Sequence, residues 1–222
     1  MLKILKQERI PFLVMDFYSH LAKEIEKGRM LDLGCGRGKA MKPFFECGWD
    51  CVGVDINSEA LKKASRYGQV ILRKDEEPLS SLENESFDLI TANAVFHHLK
   101  DINSNLSEVI RCLKRGGVFL LNEVVEDSFL MRSGRDIFKK WRGMPIYSRV
   151  YIRDWLDVFR RHNLKILRAY SQNHWVSFAL FPSSFLPSPL HFAIRRHFTR
   201  KPLDLTAQNY GQIMFILFVL QK

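Results

Sequence analysis

The sequence predicts an α/β protein with a doubly wound, mainly parallel sheet, and three observations carry that expectation. Short apolar runs alternate with helical stretches from Arg29 to Val125, the pattern that successive βαβ units produce. Three glycines, Gly34, Gly36 and Gly38, follow the first apolar run, where a strand-to-helix turn favours backbone without Cβ atoms. The run Val118 to Val125 is apolar enough for a strand covered on both faces, as parallel sheets require.

The elements follow in order. Pro11 suits the first turn of a helix reaching about Lys27, with Phe12, Met15, Tyr18, Leu21, Ala22 and Ile25 near one face. Arg29 to Leu33 reads as a short buried strand, and a helix from Lys39 to Glu46 leads through Gly48 to a second strand, Cys51 to Val54. Asn57 or Ser58 caps a third helix, which Gly68 follows. Gln69 to Leu72 is a third strand and Phe87 to Thr91 a fourth; Asn103 or Ser104 then opens a helix that stops before Gly116-Gly117. Beyond the fifth strand the pattern loosens. Asp127 to Trp141 reads as a basic helix, Arg153 to His162 as a stronger one, Leu164 to Tyr170 as a strand, and Met214 to Leu220 as a last buried strand.

At 222 residues and 26.0 kDa the chain fits one domain with a full core. A hydrophobic content of 46% with 26% charged residues excludes a disordered tail protein. The four cysteines form no C-x-x-C pair, so neither a disulfide framework nor a structural zinc site is expected, and no metal is assigned. Reduced thiols, a charged start at Met1 to Gln7 and no apolar span together fit a cytoplasmic protein. Charge divides unevenly. Residues 1–128 hold 18 Lys+Arg against 20 Asp+Glu, a net of −2, and residues 129–222 hold 16 against 4, a net of +12. The basic half therefore either faces something anionic or is a solvated surface.

The densest chemistry lies at M-L-D-L-G-C-G-R-G-K, residues 30–39. Twenty-one residues after Gly34, C-V-G-V-D ends on Asp55, whose carboxylate can accept from both hydroxyls of a ribose. A dinucleotide fingerprint would need glycine at position 39, where Lys39 stands. The pattern instead carries an acid, Asp32, which would repel a pyrophosphate and suits a cationic ligand with an amino group. That favours a sulfonium amino-acid nucleoside over NAD.

These residues resemble the class I S-adenosylmethionine-dependent methyltransferases, in particular the methyltransferase type 11 group. The resemblance covers roughly Met30 to Leu121, through L-D-L-G-C-G-R-G at 31–38, V-G-V-D at 52–55, S-F-D-L-I-T-A-N-A-V-F-H-H-L-K-D at 86–101 and L-K-R-G-G-V-F-L-L at 113–121. It implies a Rossmann-like sheet of seven strands with the last antiparallel, and S-adenosyl-L-methionine as cofactor. It places a cofactor-binding core at 28–125, a substrate-selecting insert and basic, aromatic lid at 126–212, and the final strand at 213–221. Asp32 and the backbone of Gly34, Cys35, Gly36 and Gly38 would hold the methionine moiety. Asp55 would hold the ribose, with Ile56 against the adenine. Asp75 would lie near the adenine amino group, although its setting K-D-E-E-P-L is looser than the family pattern and Glu76 can substitute. Asn93 and Ala94 would line the cofactor with backbone groups.

A hydroxyl or acidic carbon acceptor needs its proton removed during transfer. His97 and His98, just past the fourth strand, are the candidate bases, each with the alternative of packing or capping the next turn. Glu123, ending the fifth strand, either orients a histidine, binds substrate or is solvated. No [DN]-P-P-[YF] follows the fourth strand, which has Asn93-Ala94-Val95-Phe96, and no Pro-Cys nucleophile follows it closely. Base-modifying nucleic-acid enzymes are thereby disfavoured. The aromatic tract at 174–192 beside the basic run at 195–201 fits three readings. One is peripheral contact with anionic lipid, another is RNA stacking, and the third is a lid over a hydrophobic small-molecule pocket. The expected function is methyl transfer to oxygen or carbon of a small or lipid-like organic acceptor. An RNA methyltransferase and a non-catalytic nucleoside-binding partner subunit are the alternatives.

Overall fold

The computed structural model describes residues 10–11, 13–74, 79, 82–127, 151–173, 199–206, 210 and 213–222. Its strands are β1 (Ile10–Pro11), β2 (Arg29–Leu33), β3 (Asp50–Asp55), β4 (Gln69–Leu72), β5 (Phe87–Asn93), β6 (Leu113–Val124), β7 (Lys165–Asn173), β8 (Thr199–Pro202) and β9 (Ile213–Gln221). The helices are α1 (Val14–Glu24), α2 (Met41–Glu46), α3 (Ser58–Ala64), α4 (Ile102–Cys112) and α5 (Ile152–Arg161), and a 3₁₀ turn covers Phe96–His98.

All nine strands join one sheet in the order β1-β8-β7-β9-β6-β5-β2-β3-β4. The block β4-β3-β2-β5-β6 is parallel throughout. The other four pairings are antiparallel, including that of β9, as the resemblance implied. Seven expected strands have become nine, because β1 and β8 extend one edge. Strand order reverses between β2 and β5, and at such a switch point ligands bind outside the carboxyl ends of strands.

The central strands feed two cores, because successive side chains point to opposite faces. Leu31, Leu33, Val52, Val54, Ile90, Ala92, Phe119 and Leu121 pack with α4 and α5. Met30, Cys51, Leu89, Val118 and Leu120 pack with α1, α2 and α3. On the first face Trp155 stacks on Phe159 and meets the edge of Phe96, so α5 is anchored against the turn after β5. No described helix is long and apolar enough to cross a membrane.

Several boundaries move, each for a local reason. Pro11 does not open α1 but pairs with Thr199 in the β1–β8 bridge. Asn57 is the cap of α3, accepting from the Ala60 amide at 3.0 Å. The cap of α4 is Asp101, which accepts from the Ser104 amide, not Asn103 or Ser104. Gly116 and Gly117 lie inside β6, which starts at Leu113; Gly116 adopts φ +75° and the β5 register slips between Phe87 and Leu89. That glycine pair makes a bulge, not a loop. Of the helix expected over Asp127 to Trp141, only Asp127 is described. Its carboxylate accepts from the Ile152 amide at 2.9 Å, at the start of α5.

Candidate active site

The turn after β2 is fixed by backbone bonds, with the amides of Gly34 and Cys35 both donating to the Val54 carbonyl. Gly34 has φ +68°, and a Cβ there would fall 2.3 Å from Val95 Cγ2. The glycine loop and the loop after β5 are therefore in direct contact. Gly36, at φ +52°, faces open space, with nothing within 4 Å of a Cβ built on it. Here a ligand can approach the backbone. Cys35 turns its buried side chain toward Gly53, so its contribution to a cofactor site is confined to the main chain.

Asp55 closes the loop from β3. Its carboxylate accepts from the Gly36 amide at 2.7 Å and from the Asn57 amide at 2.8 Å. It is half-buried, which leaves oxygen lone pairs for a diol. Beyond it, Ile56 is 65% exposed and Leu72 55% exposed, and Leu72 is in register with Asp55 on the neighbouring strand. Two uncovered aliphatic side chains at adjoining strand ends suit the faces of a flat heterocycle. Ile56 was expected there, whereas Leu72 was missed. Asp75 and Glu76 lie outside the described residues.

Asp32 is 2% exposed and accepts from the Thr91 hydroxyl at 2.7 Å. Burial pushes its carboxyl up to about 7; the Thr91 bond opposes this and the Asp55 charge adds to it. A carboxylate held in this way gains from a neighbouring cation. Asn93 accepts from the Tyr18 hydroxyl of α1 at 3.0 Å. Ala94 holds φ +53° and donates its amide to the Asn122 carbonyl. A non-glycine residue in that region costs about 1 kcal/mol and persists where its surroundings enforce it. Tyr18 and Thr91, absent from the expected site, orient the residues that were in it.

Glu123 is fully buried and not solvated. Its Oε2 accepts from the Phe96 amide at 2.9 Å, and its Oε1 accepts from the Val124 amide at 2.9 Å and meets His97 Nδ1 at 2.6 Å. The His97 side chain is 14% exposed, and the His98 ring lies with its centroid 3.9 Å from that of His97. Of the three alternatives for Glu123, orientation of a histidine is the one its geometry matches.

The basic run at 195–201 changes character. Arg200, grouped by sequence with Arg195, Arg196 and Lys201, is 4% exposed and donates to Asn122 Oδ1 at 2.7 Å. Burial brings its guanidinium down to about 10. It is an internal residue of the α1 side, while Lys201 is exposed. Arg195, Arg196 and the aromatic tract at 174–192 lie outside the described residues. A cavity of about 400 Å³ at the opposite ends of the strands, lined by Trp49, Asp88 and Lys114 among others, contains none of the expected site residues.

Glycine loop, acid-bearing neighbour strand and switch point together define a nucleoside-binding α/β domain. Residues 7–169 match the methyltransferase domain family, and the chain belongs to that family. An uncharacterized protein of Methanocaldococcus jannaschii is 36% identical over 111 residues, covering 50% of this chain; the chain spans about half (51%) of that relative's length. A ubiquinone biosynthesis O-methyltransferase of Pelagibacter ubique is 23% identical over 167 residues, 68% of this chain and 67% of the relative. Among solved structures, an S-adenosylmethionine-dependent methyltransferase of Archaeoglobus fulgidus superposes with a TM-score of 0.65 at 17% identity, covering 94% of this chain and 93% of its own. This last likeness shows the fold.

Asp55→Ala is expected to weaken S-adenosylmethionine binding about 10- to 150-fold, the equivalent of about 1.5–3 kcal/mol for charge-assisted hydrogen bonds. Part of the loss comes through the Gly36 amide that Asp55 now holds. Calorimetry of wild type and variant measures it, and equal affinities would remove Asp55 from the site.

Proposed function

We propose that the chain is an S-adenosylmethionine-dependent methyltransferase that methylates an oxygen of a small or lipid-like organic acceptor. The cofactor assignment draws on the family and on the fit of the site. Asp32 offers a buried acid to the ammonium group, the Gly36 backbone offers open space, Asp55 offers a carboxylate to the ribose, and Ile56 with Leu72 offer apolar surface to the adenine. When bound, the cofactor supplies an electrophilic methyl carbon on a sulfonium.

The observation that carries oxygen as the acceptor is the His97 imidazole, held by Glu123 on the loop whose Val95 packs on Gly34. A hydroxyl is a poor nucleophile until its proton is taken, and an imidazole is suited to take it. Transfer to oxygen is what the names of the ubiquinone biosynthesis O-methyltransferases state. An acidic carbon would use the base in the same way. The RNA alternative loses Arg200 from its basic face, and so does contact with an anionic membrane.

Incubation with methyl-labelled S-adenosylmethionine and separate lipid, low-mass and tRNA fractions tests this reading. Label is expected in the lipid or low-mass fraction as an ether. Label recovered in tRNA, or on nitrogen of a small amine, would overturn it.

A further inference from the structure

The loop after β5 and the imidazole it carries are held by one buried side chain. Glu123 accepts from amides on both sides of the site, Phe96 in the 3₁₀ turn and Val124 in its own strand. Both oxygens face backbone N–H groups, the acceptor arrangement that suits a carboxylate. With the oxygens as acceptors, Nδ1 of His97, 2.6 Å from the oxygen that receives Val124 N–H, is the donor of this contact. Two lone pairs could not face each other at that distance.

We infer that Glu123 is a positioning residue that locks His97 into the Nδ1–H tautomer and leaves Nε2 as the proton acceptor of the transfer reaction. This rests on the proposed oxygen methylation. The acceptor proton moves to Nε2, the positive ring is balanced by the Glu123 carboxylate through Nδ1–H, and the proton then leaves to water. The same carboxylate fixes the Phe96 amide, so ring orientation and loop position are set together. This matters because the loop begins at Ala94 with φ +53°, a conformation that persists only under such constraint. The His98 ring lies beside that of His97, 3.9 Å away and tilted by 46°.

Nitrogen-15 spectra of the full chain without cofactor, with His97 assigned through His97→Gln, read the tautomer directly. The expected result is an exchange-protected Nδ1–H and an Nε2 with the shift of an unprotonated nitrogen. Glu123→Gln is then expected to mix the tautomers and lower turnover about 10²-fold with KM changed by less than about threefold. Glu123→Asp should restore the tautomer in part. An Nε2–H tautomer in the wild type, or full turnover in Glu123→Gln, overturns the inference. If the Gln variant does not fold, the wild-type tautomer decides alone. A correct tautomer in a chain that methylates no hydroxyl would refute oxygen methylation and leave the positioning role standing.

Discussion

His97→Ala is expected to lower turnover by about 10²–10⁴-fold, the range for removing a general base, while S-adenosylmethionine affinity changes by less than about threefold. The two outcomes separate because of where the ring sits. His97 lies on the turn after β5 and is tied to Glu123 of β6. Asp32, Gly36, Asp55 and Ile56, expected to hold the cofactor, come from β2, β3 and their following loops, and Asn93 and Ala94, nearer His97, are expected to offer backbone groups that loss of the imidazole does not remove. Truncation at His97 therefore removes a proton acceptor and leaves the glycine loop bonded as before. His98→Ala should have a smaller effect, because the bond to the Glu123 carboxylate is made by His97. Steady-state kinetics with a hydroxyl acceptor, paired with calorimetry, read both numbers. Wild-type turnover in His97→Ala would mean that the acceptor loses its proton without help from this ring.

The parts legible in the sequence are those set by local spacing. Glycine positions, the acid in the next strand and the alternation of apolar runs place β2, β3, β4 and β5 within a residue or two, because backbone sterics and side-chain periodicity act over a few residues. What was hidden depends on partners far along the chain. Tyr18 reads as one more residue of the apolar face of α1, and so it is, yet its hydroxyl meets Asn93, 75 positions away. Asn122 and Glu123 sit in an apolar run; a histidine was one of three readings open for Glu123, and the register of β6 turns Glu123 to His97 and Asn122 to Arg200, which nothing local marks. Arg200 looks like a surface cation until β8 is placed. Pro11 has a local preference for a helix start, and pairing with β8 overrides it. Asp101, Asn103 and Ser104 can all cap a helix. The choice of Asp101 follows once Asn105 turns inward to bond Arg73.

The S-adenosylmethionine affinity of the chain should fall about tenfold per pH unit below pH 7, and the cause is Asp32. Burial raises this carboxyl from an ordinary value near 3.8 to about 7, with the Asp55 charge adding and the Thr91 hydrogen bond opposing. Only the ionised form attracts a cationic ligand, so below pH 7 binding must first expel a proton. The sign for folding runs the other way. Between pH 3.8 and 7 the folded chain holds a proton on Asp32 that the unfolded chain has released, so stability falls as pH rises through this window. Above pH 7 the loss is complete and amounts to about 4 kcal/mol at 1.36 kcal/mol per unit, an order-of-magnitude figure. Asp32→Asn removes the ionisation but keeps an oxygen for the Thr91 hydroxyl. The variant should therefore gain stability relative to wild type as pH rises from 4 to 8, and it should bind S-adenosylmethionine weakly with little dependence on pH. Denaturant unfolding of both proteins across that range, beside calorimetry at pH 6, 7 and 8, measures the two effects. Parallel stability curves, or a pH-independent affinity in the wild type, would show that Asp32 is ionised throughout. In that case its burial would have to be compensated by a cationic neighbour in the folded chain, and the cofactor would meet a site already neutralised.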